Sequence, residues 1–159
     1  MATPIRRQYQ IFIDRPPQAV FDFFENLKSY GRILTADQEI LNEAQTALWE
    51  DTLLRLRWKQ GALSRILELR IEDWNEPHGF VERQEVGPFA FFVRRHKFHE
   101  FQTGTLMTDV LEYGLPPGPA GVLLDRMYLS AHLDPMMHHQ QSEAKRLLET
   151  VTRIKGRGV

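Results

Sequence analysis

The sequence predicts an α+β fold: a curved antiparallel sheet of about seven strands wrapped around a long C-terminal helix, with two short helices after strand one. Three observations carry this. From Thr52 onward, stretch after stretch has one apolar and one charged face at a period of two, the mark of an antiparallel sheet wetted on one side. Phe80 to Tyr113 reads as three consecutive strands joined by tight turns at Val86-Gly87-Pro88 and Gln102-Thr103-Gly104. Near the C-terminus, Met136, Met137, Ala144, Leu147, Leu148, Val151 and Ile154 form one long apolar stripe at helical spacing.

In chain order, Arg6 to Ile13 alternates, with Tyr9, Ile11 and Ile13 on one side, and is the first strand. Asp14-Arg15-Pro16-Pro17 opens a helix, with Asp14 the candidate cap and proline tolerated in the first turn. Val20, Phe23, Phe24 and Leu27 are its core-facing residues. Gly31 interrupts, and Ile33-Leu34-Thr35 is expected to make a second short helical turn. Glu39 to Trp49 gives at best a short, twisted edge strand. Thr52 to Lys59 sets Leu54, Leu56 and Trp58 against Arg55, Arg57 and Lys59. After a turn at Gln60-Gly61, Ser64 to Trp74 opposes Leu67, Leu69 and Ile71 to Ile66, Glu68, Arg70 and Glu72. The arginine-rich faces, with Arg65 among them, read as solvated surface balanced by glutamates. Asn75 to Gly79 is a turn. Gly114 to Gly121, rich in proline and glycine, leaves the last strand. At Asp134-Pro135 either the helix kinks, or Asp134 caps a new helix with Pro135 at its first position. Lys145, Arg146, Arg153 and Lys155 lie near that helix's C-terminal end.

The three central strands carry the candidate site. Short hairpin connections set His96 opposite Asp109, Phe98 opposite Met107 and Phe92 opposite Tyr113. On the other side they set Gln84 opposite Phe92, Glu82 opposite Arg94 and Phe80 opposite His96. One face thus gathers two polar cross-strand pairs among Phe80, Phe92, Phe98, Met107, Leu111 and Tyr113. An apolar floor with a few fixed polar groups is the usual make-up of a small-molecule site. Laid over it, the C-terminal helix closes a cavity, and its adaptable Met136 and Met137 suit an apolar guest. His96 with Asp109 reads either as a structural pair or as a tautomer-fixed general base, catalytic if it lines the cavity. Glu82 with Arg94 reads as a buried or half-buried ion pair that stays ionised, ahead of a catalytic acid. Tyr113 either bonds locally or donates to a ligand carbonyl.

Composition narrows the function classes. The 159 residues allow one domain, residues 1-159, with a substantial core. Their 20 basic and 21 acidic side chains give a net charge of -1 and no hint of a nucleic acid partner. Without cysteine there is no disulfide, thiolate catalysis or Cys-based metal site. His132, His138 and His139 have no carboxylate at ligand spacing, so no metal and no cofactor is expected. No P-loop, G-x-S-x-G or G-x-G-x-x-G motif is present. No signal-peptide core or integral membrane segment is expected, since no apolar run approaches ~20 residues, and the cytoplasm is the default.

The run Phe80-Val81-Glu82-Arg83-Gln84, then Gly87-Pro88-Phe89, Phe92 to Phe98, Gly104 to Tyr113 and Pro116-Pro117-Gly118 resembles the START-like superfamily. That superfamily is also called Bet v 1-like or SRPBCC and includes polyketide cyclase/dehydratase-type members. The resemblance spans nearly the whole chain and implies a helix-grip fold of strand, two short helices, six strands and long helix. Bacterial members close to this pattern often have Trp and His where this chain has Phe92 and Arg94. The implied function is binding a small hydrophobic molecule (a lipid, polyketide, isoprenoid or aromatic metabolite) by a monomer or homodimer. One alternative is a cyclase or dehydratase with His96-Asp109 as base and Arg94 or Tyr113 polarising a carbonyl. Another is a structural or partner-binding domain with a collapsed interior.

Overall fold

The computed structural model describes residues 2–156, with side chains through residue 150. In chain order it runs β1 (Ile5–Ile13), α1 (Pro17–Glu25), α2 (Leu27–Arg32), β2 (Gln38–Ile40), β3 (Leu53–Gln60) and β4 (Leu63–Asn75). Then come β5 (Gly79–Val86), β6 (Phe91–Phe101), β7 (Gly104–Gly114), α3 (Pro119–Leu124), a π-helical turn (Asp125–Leu129) and α4 (Leu133–Gly156). The seven strands form one curled antiparallel sheet in the order β1-β7-β6-β5-β4-β3-β2. The α+β, helix-grip arrangement expected from the sequence is therefore present.

The faces follow the period-two pattern. Leu54, Leu56, Trp58, Leu67, Leu69 and Ile71 are buried on the inner side. Outside, Arg55 meets Glu68 at 3.1 Å and Arg83 meets Glu72 at 2.8 Å. Such exposed pairs contribute about 0–1 kcal/mol each, so the apolar inner face is the driving force. The α1 residues Val20, Phe21 and Phe24 plug one end of the curl, Phe21 taking the place expected for Phe23. The other cover is α4, lying along β1. Lys145 Nζ donates to the Phe12 carbonyl at 2.7 Å, Arg15 Nη1 to the Leu148 carbonyl at 2.8 Å, and the Tyr9 hydroxyl to Asp134. The side chains of Val151, Arg153, Ile154 and Lys155 lie outside the described residues. Among the described residues, no helix is long and apolar enough to cross a membrane.

Four local expectations need correction. The edge strand is only Gln38–Ile40, because beyond it the Asn42 side chain takes over, donating to Leu53 O at 2.8 Å and accepting from Arg55 N at 2.9 Å. Asp14 does not cap α1, whose cap residue is Pro16; it accepts from Thr103 Oγ1 at 2.9 Å and so ties the chain to the β6–β7 turn. The second helix lies one turn earlier than expected, capped by Asn26 Oδ1 accepting from Ser29 N at 3.1 Å, with Gly31 inside it. Finally, α4 begins at Leu133, so Pro135 sits in the first turn, where a missing N–H costs nothing.

Gly79 starts β5 at φ 145°, and a Cβ there would lie 1.9 Å from the His96 carbonyl oxygen. Gly61 also has positive φ (57°) but nothing within 4 Å of a Cβ. Gly79→Ala is expected to cost roughly 2–3 kcal/mol and lower the melting midpoint by about 4–10 °C. Gly61→Ala should cost only about 1 kcal/mol. Circular-dichroism melts compare the two, and equal shifts would contradict the contact argument.

Candidate functional site

Pairing in the centre of the sheet follows turn length. His96 stands opposite Asp109, Phe98 opposite Met107 and Phe92 opposite Tyr113. Phe80 stands opposite His96, and Glu82 opposite Arg94. That ladder stops at Arg83↔Val93, so Gln84 does not reach Phe92. Its side chain turns instead to the Phe89 backbone, donating to the carbonyl at 3.0 Å and accepting from the amide at 3.3 Å.

Of the two cross-strand pairs, His96–Asp109 meets straight across, while Glu82 and Arg94 turn to other partners. Glu82, Arg94, His96 and Asp109 are all buried. Arg94 reaches diagonally to Asp109, with Nη2 3.2 Å from Oδ1. The ring of His96 lies between two carboxylates, Nε2 2.9 Å from Glu82 Oε1 and Nδ1 2.9 Å from Asp109 Oδ1. The first contact is a hydrogen bond; the second is too oblique for one and acts as an ion pair. Helices close the ring around these four. The Tyr30 hydroxyl of α2 donates to Glu82 at 2.6 Å. On α4, Gln140 accepts from Arg94 Nη1 at 3.0 Å, while Gln141 Nε2 donates to Asp109 Oδ2 at 2.9 Å and to the Tyr9 carbonyl at 3.0 Å. Gln140 also donates to Gln38 Oε1 of β2 at 3.0 Å.

Two cations and two anions balance, and each holds the other charged. Burial works against ionisation of Glu82, but His96, Arg94 and the Tyr30 hydroxyl pull it below the usual carboxylate value. Asp109 is also buried, and Arg94 with His96 holds it well below its ordinary range. Burial opposes a charge on His96, yet Glu82 and Asp109 outweigh burial and Arg94 together and raise it. Burial pushes the Tyr30 hydroxyl well above its ordinary value, so it stays a donor. When both its nitrogens carry protons, this imidazole has no lone pair for a substrate proton. Both ring nitrogens of His96 face carboxylates, and with Arg94 the four side chains form a clamp across β5, β6 and β7.

Beside the clamp, under α4, lies a cavity of about 40 Å³. Of the residues expected to line it, Glu82, Phe92, Arg94, Leu111, Tyr113, Met136 and Met137 do so. His96 and Asp109 sit behind that wall. Phe80 and Phe98 pack on Phe21 of α1, with ring centroids 6.1 and 6.2 Å away, and Met107 is fully enclosed. Gln84 is spent on its turn. The sequence reading did not name Tyr30, Gln38 and Gln140, which with Arg94 and Glu82 form the cavity's polar end. A signal existed: Gln140 and Gln141 fall four residues after Met136 and Met137, inside the apolar stripe. The volume holds about three waters, well below the ~300 Å³ of small-molecule sites. Of the three histidines near α4, His132 approaches Gln60 at 3.3 Å and His138 stands edge-on to Tyr9 at 5.6 Å. Among the described residues, the group with metal-ligand spacing is instead Asp22, Glu25 and Glu76 at the surface.

The clamp sets the pH dependence of stability. His96 is raised above its ordinary 6.5, so its contribution is full below that pH and fades as pH rises through the raised value. Glu82 and Asp109 are lowered from 4.5 and 3.8, so theirs is full above those values and fades as pH falls through the lowered ones. The urea midpoint is expected to be highest between about pH 5 and 6.5. His96→Gln should remove the alkaline-side fall and cost roughly 3–5 kcal/mol by leaving two buried carboxylates against one cation. An unchanged alkaline fall in that variant would assign the titration elsewhere.

No protein-family model matches the chain, and no curated protein matches it in sequence. Solved structures do. The Zhui aromatase/cyclase from a Streptomyces species is 14% identical and superposes with TM-score 0.73 over 97% of this chain and 99% of its own. Ara h 8.0201 is 10% identical, with TM-score 0.62 over 93% of this chain and 99% of its own. The di-domain ARO/CYC BexL is 18% identical, with TM-score 0.66 over 90% of this chain and 49% of its own. At such identities the common property is the backbone arrangement. With its curled seven-stranded sheet gripping α4, the chain has the START-like, Bet v 1-like (SRPBCC) polyketide cyclase-like fold.

Proposed function

We propose that this protein binds a small hydrophobic molecule, such as a lipid, polyketide or aromatic metabolite, in the hollow between the sheet and α4. One observation carries the reading. The hollow is walled mainly by apolar side chains, with a polar end where Arg94, Glu82, Gln140, Gln38 and Tyr30 converge. That division orients an amphiphilic guest, apolar body against the sheet and oxygen toward Arg94 and Gln140. About 40 Å³ admits no such guest without widening, and the adaptable Met136 and Met137 on the α4 wall are suited to giving way. The likeness to Zhui, Ara h 8.0201 and BexL is in keeping with the reading but does not choose a ligand.

A cyclase or dehydratase acting in the same hollow is the second reading, favoured by Arg94 and Tyr113, which both reach its wall and are placed to polarise a carbonyl. In that reading His96-Asp109 is the base, released from the contacts that His96 makes with Glu82 and Asp109 and that Glu82 makes with Tyr30. Turnover of a polyketide-like substrate, lost in Tyr113→Phe with binding retained, would select it.

The test of the binding reading is native mass spectrometry of protein purified from its own host, which is expected to show a co-purifying small molecule. Leu69→Phe, filling the hollow from β4, should reduce affinity for that molecule at least about tenfold while costing roughly 1–3 kcal/mol in stability. If no small molecule accompanies the protein and hydrophobic probes do not bind, the interior is a collapsed core and the domain acts through its surface.

A further inference from the structure

A second hollow lies outside the first. It is an apolar groove of about 250 Å³ formed by Leu63, Pro88, Pro116, Leu123, Met127 and Tyr128, with Arg65 at its edge. Leu63 and Leu123 are 40% and 49% exposed, unusually bare for leucines flanking a groove. Between the groove and the inner cavity stands one aromatic contact. Trp58 lines the inner cavity, Tyr128 lines the outer groove, and their rings meet edge-to-face with centroids 5.1 Å apart. Tyr128 belongs to the π-helical turn, and the next residue, Leu129, lines the inner cavity. A single π turn inside a helical segment is a high-energy insertion that frequently marks a functional site.

The partition carries an electrostatic cost. Trp58 Nε1 and the Tyr128 hydroxyl are both closed off from solvent and neither has a hydrogen-bond partner. Buried donors without acceptors are rare, and each weakens the state that contains it. The edge-to-face ring contact offers at most a weak substitute. In the clamp, His96 Nδ1 also lacks a hydrogen bond but lies 2.9 Å from the Asp109 carboxylate, whereas the rings that carry the Trp58 and Tyr128 donors are set against each other. Two orphaned donors on either side of the same contact mean that the closed partition is held by packing alone, against its own polar groups.

We propose that the Trp58–Tyr128 contact is a gate: when the π turn moves aside, cavity and groove join into one site, and the indole N–H and phenol O–H bind an acceptor oxygen of the guest. The two volumes of about 40 and about 250 Å³ together come close to the ~300 Å³ at which small-molecule sites begin. The guest class follows from the polar groups. It is a flat or elongated apolar molecule with a carbonyl or hydroxyl oxygen partway along its length, its leading end under Met136 and Met137 and its trailing end between Leu63 and Leu123. This rests on the ligand-binding reading above and specifies the guest.

The test titrates wild type, Trp58→Phe and Tyr128→Phe with 2-acetylnaphthalene and with 2-isopropylnaphthalene, which has nearly the same shape but no acceptor. Binding is read from the Trp58 indole N–H resonance in wild type and Tyr128→Phe, and by calorimetry in all three. Wild type should prefer the acetyl probe about tenfold, with a downfield shift of the Trp58 indole proton. Each substitution should reduce that preference to about threefold or less, with affinity for the isopropyl probe changed less than threefold. Without probe, Tyr128→Phe should melt no lower than wild type, because its hydroxyl has no partner to lose. If both probes bind but the preference is absent or survives both substitutions, the gate is wrong and the cavity reading stands. If neither probe binds wild type, both fall.

Discussion

The imidazole of His96, held between Glu82 and Asp109 with Arg94 completing the charge balance, is the interaction on which the rest of the fold turns. It joins the centre of the sheet to both helical covers. β5, β6 and β7 supply the charges, α2 supplies Tyr30, and α4 supplies the two glutamines. Each partner is needed because the four groups are buried: an ion buried without its counter-ion is far costlier than one left in water. The cluster adds little net stability compared with an apolar core of equal volume. Its effect is positional, since only one placement of α4 on the sheet satisfies Asp109, Arg94 and the Tyr9 carbonyl together.

That placement also explains why the candidate site is a hollow with one polar end. Residues that face the clamp, Arg94 and Glu82, present their remaining surface to the cavity, so the charged cluster becomes part of its wall. A guest there meets fixed dipoles rather than a mobile acid or base.

How much of this the sequence disclosed depends on the length scale of each interaction. Strand pairing in the centre was legible because side-chain alternation and short turns determine register, so His96↔Asp109 and Glu82↔Arg94 could be read directly. Which charge touches which was legible for His96–Asp109 but not for Arg94 and Glu82. Arginine is long enough to reach the diagonal neighbour, and Arg94 takes Asp109 while leaving Glu82 to the histidine and the tyrosine. The limits of α2 were hidden because Gly31 reads as a breaker, whereas the Asn26 cap and buried Leu27 and Tyr30 override its propensity. Gln84 showed the reverse failure: its alternation was right but the ladder ends one residue earlier. Cavity volume depends on how Met136, Met137 and Leu129 pack, a quantity no periodicity contains.

The two rims of the half-barrel are fastened very differently. Along β1, α4 is riveted by Lys145, by Arg15, by Gln141 and by the Tyr9–Asp134 pair. Across the hollow, β2 is three residues long, and one amide-to-amide link from Gln140 to Gln38 spans the gap. Any swelling of the interior is therefore lopsided, with β1 as the hinge side and β2 as the side that yields.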